Sequence, residues 1–485
     1  MSRLSAATLA ALPAEVERPA YDRAAIRTGV VHLGIGAFHR AHQAAVFDAA
    51  LAAGDPRWGI IGVSLRSAGV RDQLVPQDGL YSLVVREGDT QQVRIIGAVT
   101  DVLVAPEDPA RVVAALASAD VHIVTLTITE KGYRLDPATG ALIVDDADVA
   151  ADLANLSAPR TAPGFLVAGL QARRAAGLPP FTAISCDNLP HNGQRLRDAV
   201  LAMARAHDAT LADWIATEGA FPQTMVDRIV PATTPGDIAA LAQRLSVEDQ
   251  AMVKTEPFLQ WVIEDRFCGP RPDFTALGAQ LTADVAPWEE AKLRLLNGAH
   301  SGIAYLGGLA GIEFVDQFVA DPRGRAFVEA LWDESTATLS PPPGLDIARY
   351  RAALMARFAN PTLQHRTRQI AMDGSQKLPQ RLVAPLLQRL GEGRPVGAIT
   401  LTIAAWMRWQ GGVDDAGQPF PVDDPLADRT HAALADCATP ADRVTALLGI
   451  EAIFPSALAA DRRLVEMLAG RLDRLDHLGS LATLG

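Results

Sequence analysis

A short apolar run, Val30-Val31-His32-Leu33, leads directly into Gly34-Ile35-Gly36-Ala37-Phe38-His39-Arg40-Ala41-His42-Gln43 and then into an alanine-rich stretch over 44–53. A buried strand, a glycine turn and a helix in that order leave few folds open, because a parallel strand needs a crossover before it can pair again. In a dinucleotide-binding turn the first glycine permits the tight bend, and the second lets the backbone approach a pyrophosphate. Gly34 and Gly36 supply both. His39 stands where the third glycine belongs, so the fingerprint is incomplete.

The pattern recurs. Residues 59–65, 93–96, 121–128 and 181–185 are apolar or β-branched and read as strands, with helical stretches such as 109–118 and 164–176 between them. This alternation predicts an N-terminal, Rossmann-type, doubly wound α/β domain over residues 1–285. After Ala286 the clear strands stop. Residues 289–309, 324–332, 346–358, 380–390, 398–409 and 441–448 read as helices, so 286–485 is expected to form a mainly α-helical second domain.

The chemistry allowed to such a chain is narrowed by its composition. Hydrophobic residues make up 49% and charged residues 21%, a globular balance, and the net charge of −12 speaks against a nucleic-acid or anionic-membrane surface. Cys186, Cys268 and Cys437 are far apart and have no metal-ligand spacing, which suits a reducing cytoplasm. No signal-peptide apolar region and no membrane-length apolar run stands out.

The helix at the predicted domain junction carries E-E-A-K-L-R-L-L-N-G-A-H from Glu289 to His300. At about 100° per residue, Lys292, His300 and Asn297 fall at roughly 0°, 80° and 140°, and Glu289 near 60°. Four polar groups thus share one half of a largely apolar helix. Buried lysines are where base chemistry becomes accessible. A satisfied ion pair with a core histidine would give the same pattern.

Polar clusters also follow two of the strands, where α/β sheets place ligands. One is Thr129-Glu130-Lys131-Gly132-Tyr133. The other, Ser185-Cys186-Asp187-Asn188-Leu189-Pro190-His191-Asn192-Gly193, equally reads as an Asx turn and helix cap. Asp227-Arg228 lies in an apolar strand-like segment, as an internal salt bridge or a carboxylate facing a polyhydroxylated substrate. His39 and His42 have helical ligand spacing for zinc without a third ligand. Cys186 with His191 would be a nucleophile pair only if adjacent. No acid follows residues 59–65 until Asp72, so Arg66 is either a 2′-phosphate ligand or a solvated loop cation, leaving NADP open beside NAD.

Taken together, G-I-G-A-F-H-R-A-H-Q from Gly34, T-I-T-E-K-G-Y from Thr127, S-C-D-N-L-P-H-N-G from Ser185, M-V-D-R-I-V-P from Met225, E-P-F-L-Q-W-V-I-E-D from Glu256 and K-L-R-L-L-N-G-A-H-S from Lys292 resemble the long-chain mannitol dehydrogenase family of polyol and hexuronate dehydrogenases. The resemblance runs from about residue 30 to at least residue 450. It implies an NAD-binding Rossmann domain, with Gly34, Ile35, Gly36, Ala37, Phe38, Arg66, Thr129 and Glu130 toward the cofactor, and metal-independent hydride transfer. It also implies Lys292 as general base, Asn188 and Asn297 polarising the reacting oxygen, His300 and Asp227 binding substrate, and Glu289 gating proton exit. The segment H-R-T-R-Q-I-A-M-D-G-S-Q-K-L-P-Q-R-L from His365 looks most like the fructuronate reductases (D-mannonate oxidoreductases) within the family, with the mannitol 2-dehydrogenases next. Gln369 stands where the latter have a substrate-contacting arginine. A uronate needs a cation, and Lys377, Arg366 and Arg368 are the candidates. Arg368 departs from the tryptophan expected in fructuronate reductases. The expected partner is therefore a small sugar acid or polyol, without nucleic acid or membrane. The family permits a monomer, because its site is built from one chain. A non-catalytic dinucleotide-binding protein would not need Lys292, Asn297 and His300 on one helical face; a methyltransferase using the glycine turn for S-adenosylmethionine is the other alternative.

Overall fold

In the computed structural model, residues 1–88, 90–136 and 139–484 are described, and the chain divides into two compact units, Met1–Val285 and Ala286–Gly485. The first unit is built on a five-stranded, all-parallel sheet. Its strands run Val99–Val104, Gly59–Ser64, Thr28–Leu33, Ile123–Leu126 and Thr182–Ser185 across the sheet. Numbered by sequence among themselves, they follow the order 3-2-1-4-5 of a doubly wound fold. Both faces of the central strands are covered, which is why they read as unbroken apolar runs. Pro109–Ala117 and Ala162–Ala175 carry Pro in the first turn and are capped by Asp108 and Thr161, so the chain itself fixes where these covering helices begin. On one face Val112, Leu116, Phe165, Leu166 and Leu196 form a continuous core. On the other, Phe47, Trp58, Trp261 and Phe274 pack together with no exposed surface. Burying a phenylalanine such as Phe47 or Phe274 contributes about 1.5–3 kcal/mol.

The third strand of the main sheet is Val99–Val104, a segment absent from the strands read from sequence. Residues 93–96 belong instead to the strand Thr90–Ile96, which pairs antiparallel with Tyr81–Glu87 in a separate three-stranded sheet completed by Val253–Thr255. Local composition cannot choose between two adjacent apolar segments; long-range pairing does. A third small sheet joins Thr224–Asp227, Gln260–Glu264 and Gln280–Thr282.

The second unit is helical, with only isolated bridges in place of strands among the described residues. At its centre lies Gly298–Leu309, in which every residue is buried. Gly302 and Gly308 let it approach neighbouring chain closely, since a side chain at either would meet Phe327 or Trp409 within 3 Å. Arg462–Leu478, unmarked in the sequence reading, buries Leu464, Leu468, Leu472 and Leu475 along one face. The helix read over 289–309 is interrupted. Ala286–Ala291 is α-helical, Lys292–Asn297 is a π-helix, and α geometry resumes at Gly298. The helix read over 380–390 likewise begins as a π-turn, Pro379–Val383, before Ala384–Gly391. Proline has no N–H to donate one turn back, which frees the ladder to widen there. No helix among the described residues is long and apolar enough to cross a membrane.

Candidate active site

In the first unit, the turn after Thr28–Leu33 and the loop after Ile123–Leu126 lie at the point where strand order reverses, because those two strands are neighbours. Gly34 is forced to be glycine by its surroundings. Its φ is +95°, and a Cβ there would sit 2.2 Å from the Thr127 carbonyl oxygen. Gly36 is different: it is exposed, and a Cβ would find no atom of the chain nearer than 3.8 Å. The space beside Gly36 is therefore open to the close approach of another group. Ile35 is buried beneath the turn, and Ala37 and Phe38 begin the following helix.

A buried polar network holds the turn. The His32 ring bonds the Thr125 hydroxyl at 2.7 Å through Nδ1 and the Gly34 carbonyl at 3.1 Å through Nε2, while the Thr127 hydroxyl donates to the same carbonyl at 2.9 Å. This network assigns the His32 proton to Nε2. Burial pushes the imidazole down to about 3, so it stays neutral. His39, in the place of the third glycine, stacks flat on His32 with ring centroids 3.3 Å apart. His42 bonds the Gln260 carbonyl at 2.9 Å. These two histidines, whose spacing suits zinc but for which the sequence offered no third ligand, pack against the turn and its neighbours. No group of three or more potential metal ligands occurs among the described residues.

Thr129 adopts φ +64° and ψ 166°, a conformation costly for a β-branched residue. Asp187 holds it there. Its carboxylate accepts the Ile128 and Thr129 N–H groups at 3.1 and 2.8 Å and the Tyr133 hydroxyl at 2.6 Å. Burial raises the Asp187 carboxyl above its ordinary value, and those hydrogen bonds work against the rise. The two strand-end motifs are thus one device joined by Asp187. Asn188, the next residue, is exposed, as are Thr129 and Glu130. Glu130 lies 3.6 Å from Arg195. Cys186 is fully buried and its thiol is pushed well up by burial, a poor setting for a nucleophile. His191 is exposed. Arg66 is exposed beyond Gly59–Ser64, and Ser64 donates to the Ser67 carbonyl at 2.5 Å, closing the loop without an acid. Asp227 is buried at the end of Thr224–Asp227, whereas Arg228 donates to the Ala41 and Glu256 carbonyls.

In the second unit, the π-turn changes the geometry read from sequence. The Gly298 N–H donates to the Leu293 carbonyl, five residues back. In such a turn residues five apart are stacked neighbours, as residues four apart are in an α-helix. Lys292 and Asn297 therefore stack one wide turn apart, closer than the roughly 140° of a regular helix. Lys292 is 6% exposed. Glu289 is half-buried one turn earlier. The Asn297 amide oxygen and His300 Nε2 are both buried and have no hydrogen-bond partner among the described residues. These two orphaned buried polar atoms lie on the same helical stretch as the buried lysine, where a ligand or water would satisfy them.

The His300 ring packs 4.8 Å from Phe358 and edge-on to His365 at 5.1 Å. Burial holds the His300 imidazole well below its ordinary value, and His365, Arg357, Arg381 and Lys377 act in the same direction. His365 is pushed down to about 4, by burial first and then by Arg357 and Lys377. Lys377 donates to the Ile370 carbonyl at 3.3 Å and to that of Met372, and burial lowers its ammonium. Arg366 and Arg368 are placed elsewhere. Arg366 is exposed, paired with Glu313 over the Phe314 ring; Arg368 lies 3.8 Å from Asp414 and over Phe420. The sequence reading gave no role to His365, Arg357 or Arg381. Only the Lys377-x-x-x-Arg381 spacing could have flagged one of them.

These shifts have a sign. A free imidazole titrates near ~6.5, and His365 is depressed to about 4 in the fold. The unfolded chain then binds the proton first as pH falls. The histidine's contribution to stability is full above the unfolded value and is lost progressively toward about 4. Imidazole NMR signals of His300 and His365 are expected not to titrate between about pH 5.5 and 8. A midpoint near the free value for either would contradict the described burial.

Family models for the mannitol dehydrogenase Rossmann domain and the mannitol dehydrogenase C-terminal domain match residues 28–276 and 284–476. The chain is similar to the D-mannonate oxidoreductase of Escherichia coli (strain K12), 42% identical across 96% of both chains. It is as similar to a mannitol 2-dehydrogenase of Pyrenophora tritici-repentis (strain Pt-1C-BFP), 42% identical over 96% of this chain and 83% of the relative. Among solved structures, Pseudomonas fluorescens mannitol 2-dehydrogenase in ternary complex with NAD and D-mannitol aligns with a TM-score of 0.84 and 39% identity, covering 99% of this chain and 98% of that one.

Proposed function

The chain belongs to the mannitol dehydrogenase family, and from that premise we propose that it is an NAD-dependent secondary-alcohol dehydrogenase interconverting D-mannonate and D-fructuronate at C2. The observation that carries the reading is the pair of orphaned buried atoms, Asn297 Oδ1 and His300 Nε2, in and just beyond the π-turn that holds Lys292. Substrate hydroxyls are the groups that would satisfy both. The residues around Gly36 fit a dinucleotide, since that glycine is exposed and a side chain there would meet nothing of the protein closer than 3.8 Å. Gly34, Gly36 and their neighbours Ile35, Ala37 and Phe38 would hold NAD, with Thr129 and Glu130 at the adjacent strand end. Bound NAD supplies the hydride acceptor.

The protein's own residues then divide the work. Lys292 accepts the C2 hydroxyl proton during oxidation and returns it during reduction. Asn188 and Asn297 stabilise the charge that develops on that oxygen. His300, neutral in its buried setting, and Asp227 hold neighbouring hydroxyls. Glu289 passes the lysine's proton to solvent. A sugar acid is favoured over a polyol by two of the cations near His300, Arg357 and Lys377. Lys377 is assigned the carboxylate, because Arg366 and Arg368 are engaged by Glu313 and Asp414.

Steady-state kinetics on D-fructuronate, D-tagaturonate, D-fructose, D-mannitol and D-arabinitol, each with the NAD and the NADP couple, test this. The highest kcat/KM is expected for fructuronate with NADH. Lys377→Met should lower kcat/KM for the acid by about 10- to 100-fold, the worth of one charged hydrogen bond, and that for fructose much less. Preference for fructose and mannitol would establish a mannitol 2-dehydrogenase instead, the reading favoured by the Pyrenophora and Pseudomonas relatives.

A further inference from the structure

The second unit contains two π-turns, Lys292–Asn297 and Pro379–Val383, and they pack against each other. Well under 1% of residues adopt this geometry, so two in contact call for a common cause. At the contact, Gly298 comes so close to the second turn that a Cβ on it would lie 3.4 Å from the Arg381 carbonyl oxygen. From the second turn Arg381 reaches back. Its Nη1 donates to the Asn297 carbonyl at 3.3 Å and to the Ser301 hydroxyl at 3.2 Å, and that hydroxyl donates to the same carbonyl at 3.2 Å. Arg381 is half-buried, and a guanidinium so placed is ordinarily matched by a carboxylate. No salt bridge to it is found among the described residues, and what it holds are neutral oxygens.

We propose that Arg381 is a positioning residue. It clamps the main-chain carbonyl at the end of the first π-turn and so maintains the five-residue register that stacks Asn297 beneath Lys292. Helices tend to relax a widened turn to the α form, because regular bonding satisfies the ladder better. That relaxation would rotate Asn297 away from Lys292 while leaving both residues present. The Leu295 carbonyl, within the same turn, is taken by the Trp332 indole N–H at 2.8 Å, so two side-chain donors meet two carbonyls of one widened turn. Burial lowers the Arg381 guanidinium to about 10, still charged at neutral pH and able to act as a clamp.

This inference rests on the roles proposed for Lys292 and Asn297, and its test separates the two. Arg381→Met, Arg381→Lys and Ser301→Ala are compared with Lys292→Ala in the full-length enzyme, by kinetics and by amide hydrogen exchange of the peptide spanning 293–298. Arg381→Met is expected to lower kcat about 100-fold for sugar-acid and polyol substrates alike, the scale of a misplacement of about 1 Å. KM for NAD and for both substrates should stay within about threefold, exchange at 293–298 should accelerate, and Arg381→Lys should recover at least about tenfold of the lost rate. A raised KM for the acid alone would make Arg381 a substrate ligand and overturn the proposal. Unchanged kcat with unchanged exchange would overturn it as well. If Arg381→Met does not fold, the Arg381→Lys and Ser301→Ala exchange rates decide: wild-type protection in both defeats the clamp. Should Lys292→Ala retain its rate, the catalytic reading falls, while accelerated exchange in the Arg381 variants would still uphold the clamp.

Discussion

In Lys292→Ala protein, kcat is expected to fall by about 10²- to 10⁴-fold, the contribution of a positioned general base, with NAD affinity measured by fluorescence titration nearly unchanged. The separation follows from where the residues lie. Lys292 belongs to the helical unit, whereas the glycine turn and the Asp187-braced loop belong to the parallel-sheet unit. Loss of a buried side chain changes packing whatever its chemistry. Melting temperature and kcat therefore report different things in this variant. Partial recovery of turnover by added small amines, in order of their basicity, would mark the lost group as a proton acceptor. A variant retaining more than about one tenth of the wild-type rate would remove Lys292 from the chemistry.

The fold and the site were legible to different depths. The parallel sheet could be read because its strands are buried on both faces and so appear as apolar runs; Val30, Val31 and Leu33 have no exposed surface. The edge of the sheet could not, since Thr90–Ile96 and Val99–Val104 are both apolar and only their partners tell them apart. In the helical unit, grouping Lys292, Asn297 and His300 on one face assumed α periodicity throughout. The π-turn breaks that assumption and draws Lys292 and Asn297 closer than it allowed. Pro379, just ahead of the helix read over 380–390, was a visible sign of the second turn; nothing comparable marks the first. The tie between Asp187 and Thr129 was hidden for another reason. The two lie on loops after different strands, and only the sheet order makes those loops adjacent.

The two glycines of the nucleotide turn should fail in opposite ways. In Gly34→Ala the new methyl meets the Thr127 carbonyl at 2.2 Å, a backbone atom just beyond a central strand, in a residue whose φ is +95°. No side chain can move aside, so the main chain must. The conformational cost alone is about 1–2 kcal/mol, and the clash adds to it. A loss of at least ~3 kcal/mol is expected, with a fall in melting temperature of roughly 6–12 °C for a unit of this size. Gly54→Ala provides the control, because its φ is +99° but nothing lies within 4 Å, leaving the conformational cost by itself. Gly36→Ala should be nearly neutral in stability: its φ of −88° suits any residue, and its nearest neighbour is 3.8 Å away. There the methyl occupies the approach a pyrophosphate needs, so the Kd for NAD should rise at least about tenfold, equivalent to ~1.4 kcal/mol. Calorimetry and NAD titration on the three variants separate a glycine the fold requires from one the ligand requires. Equal destabilisation by Gly34→Ala and Gly54→Ala would show that the Thr127 contact carries no cost. Unchanged NAD affinity in Gly36→Ala would place the dinucleotide away from this turn.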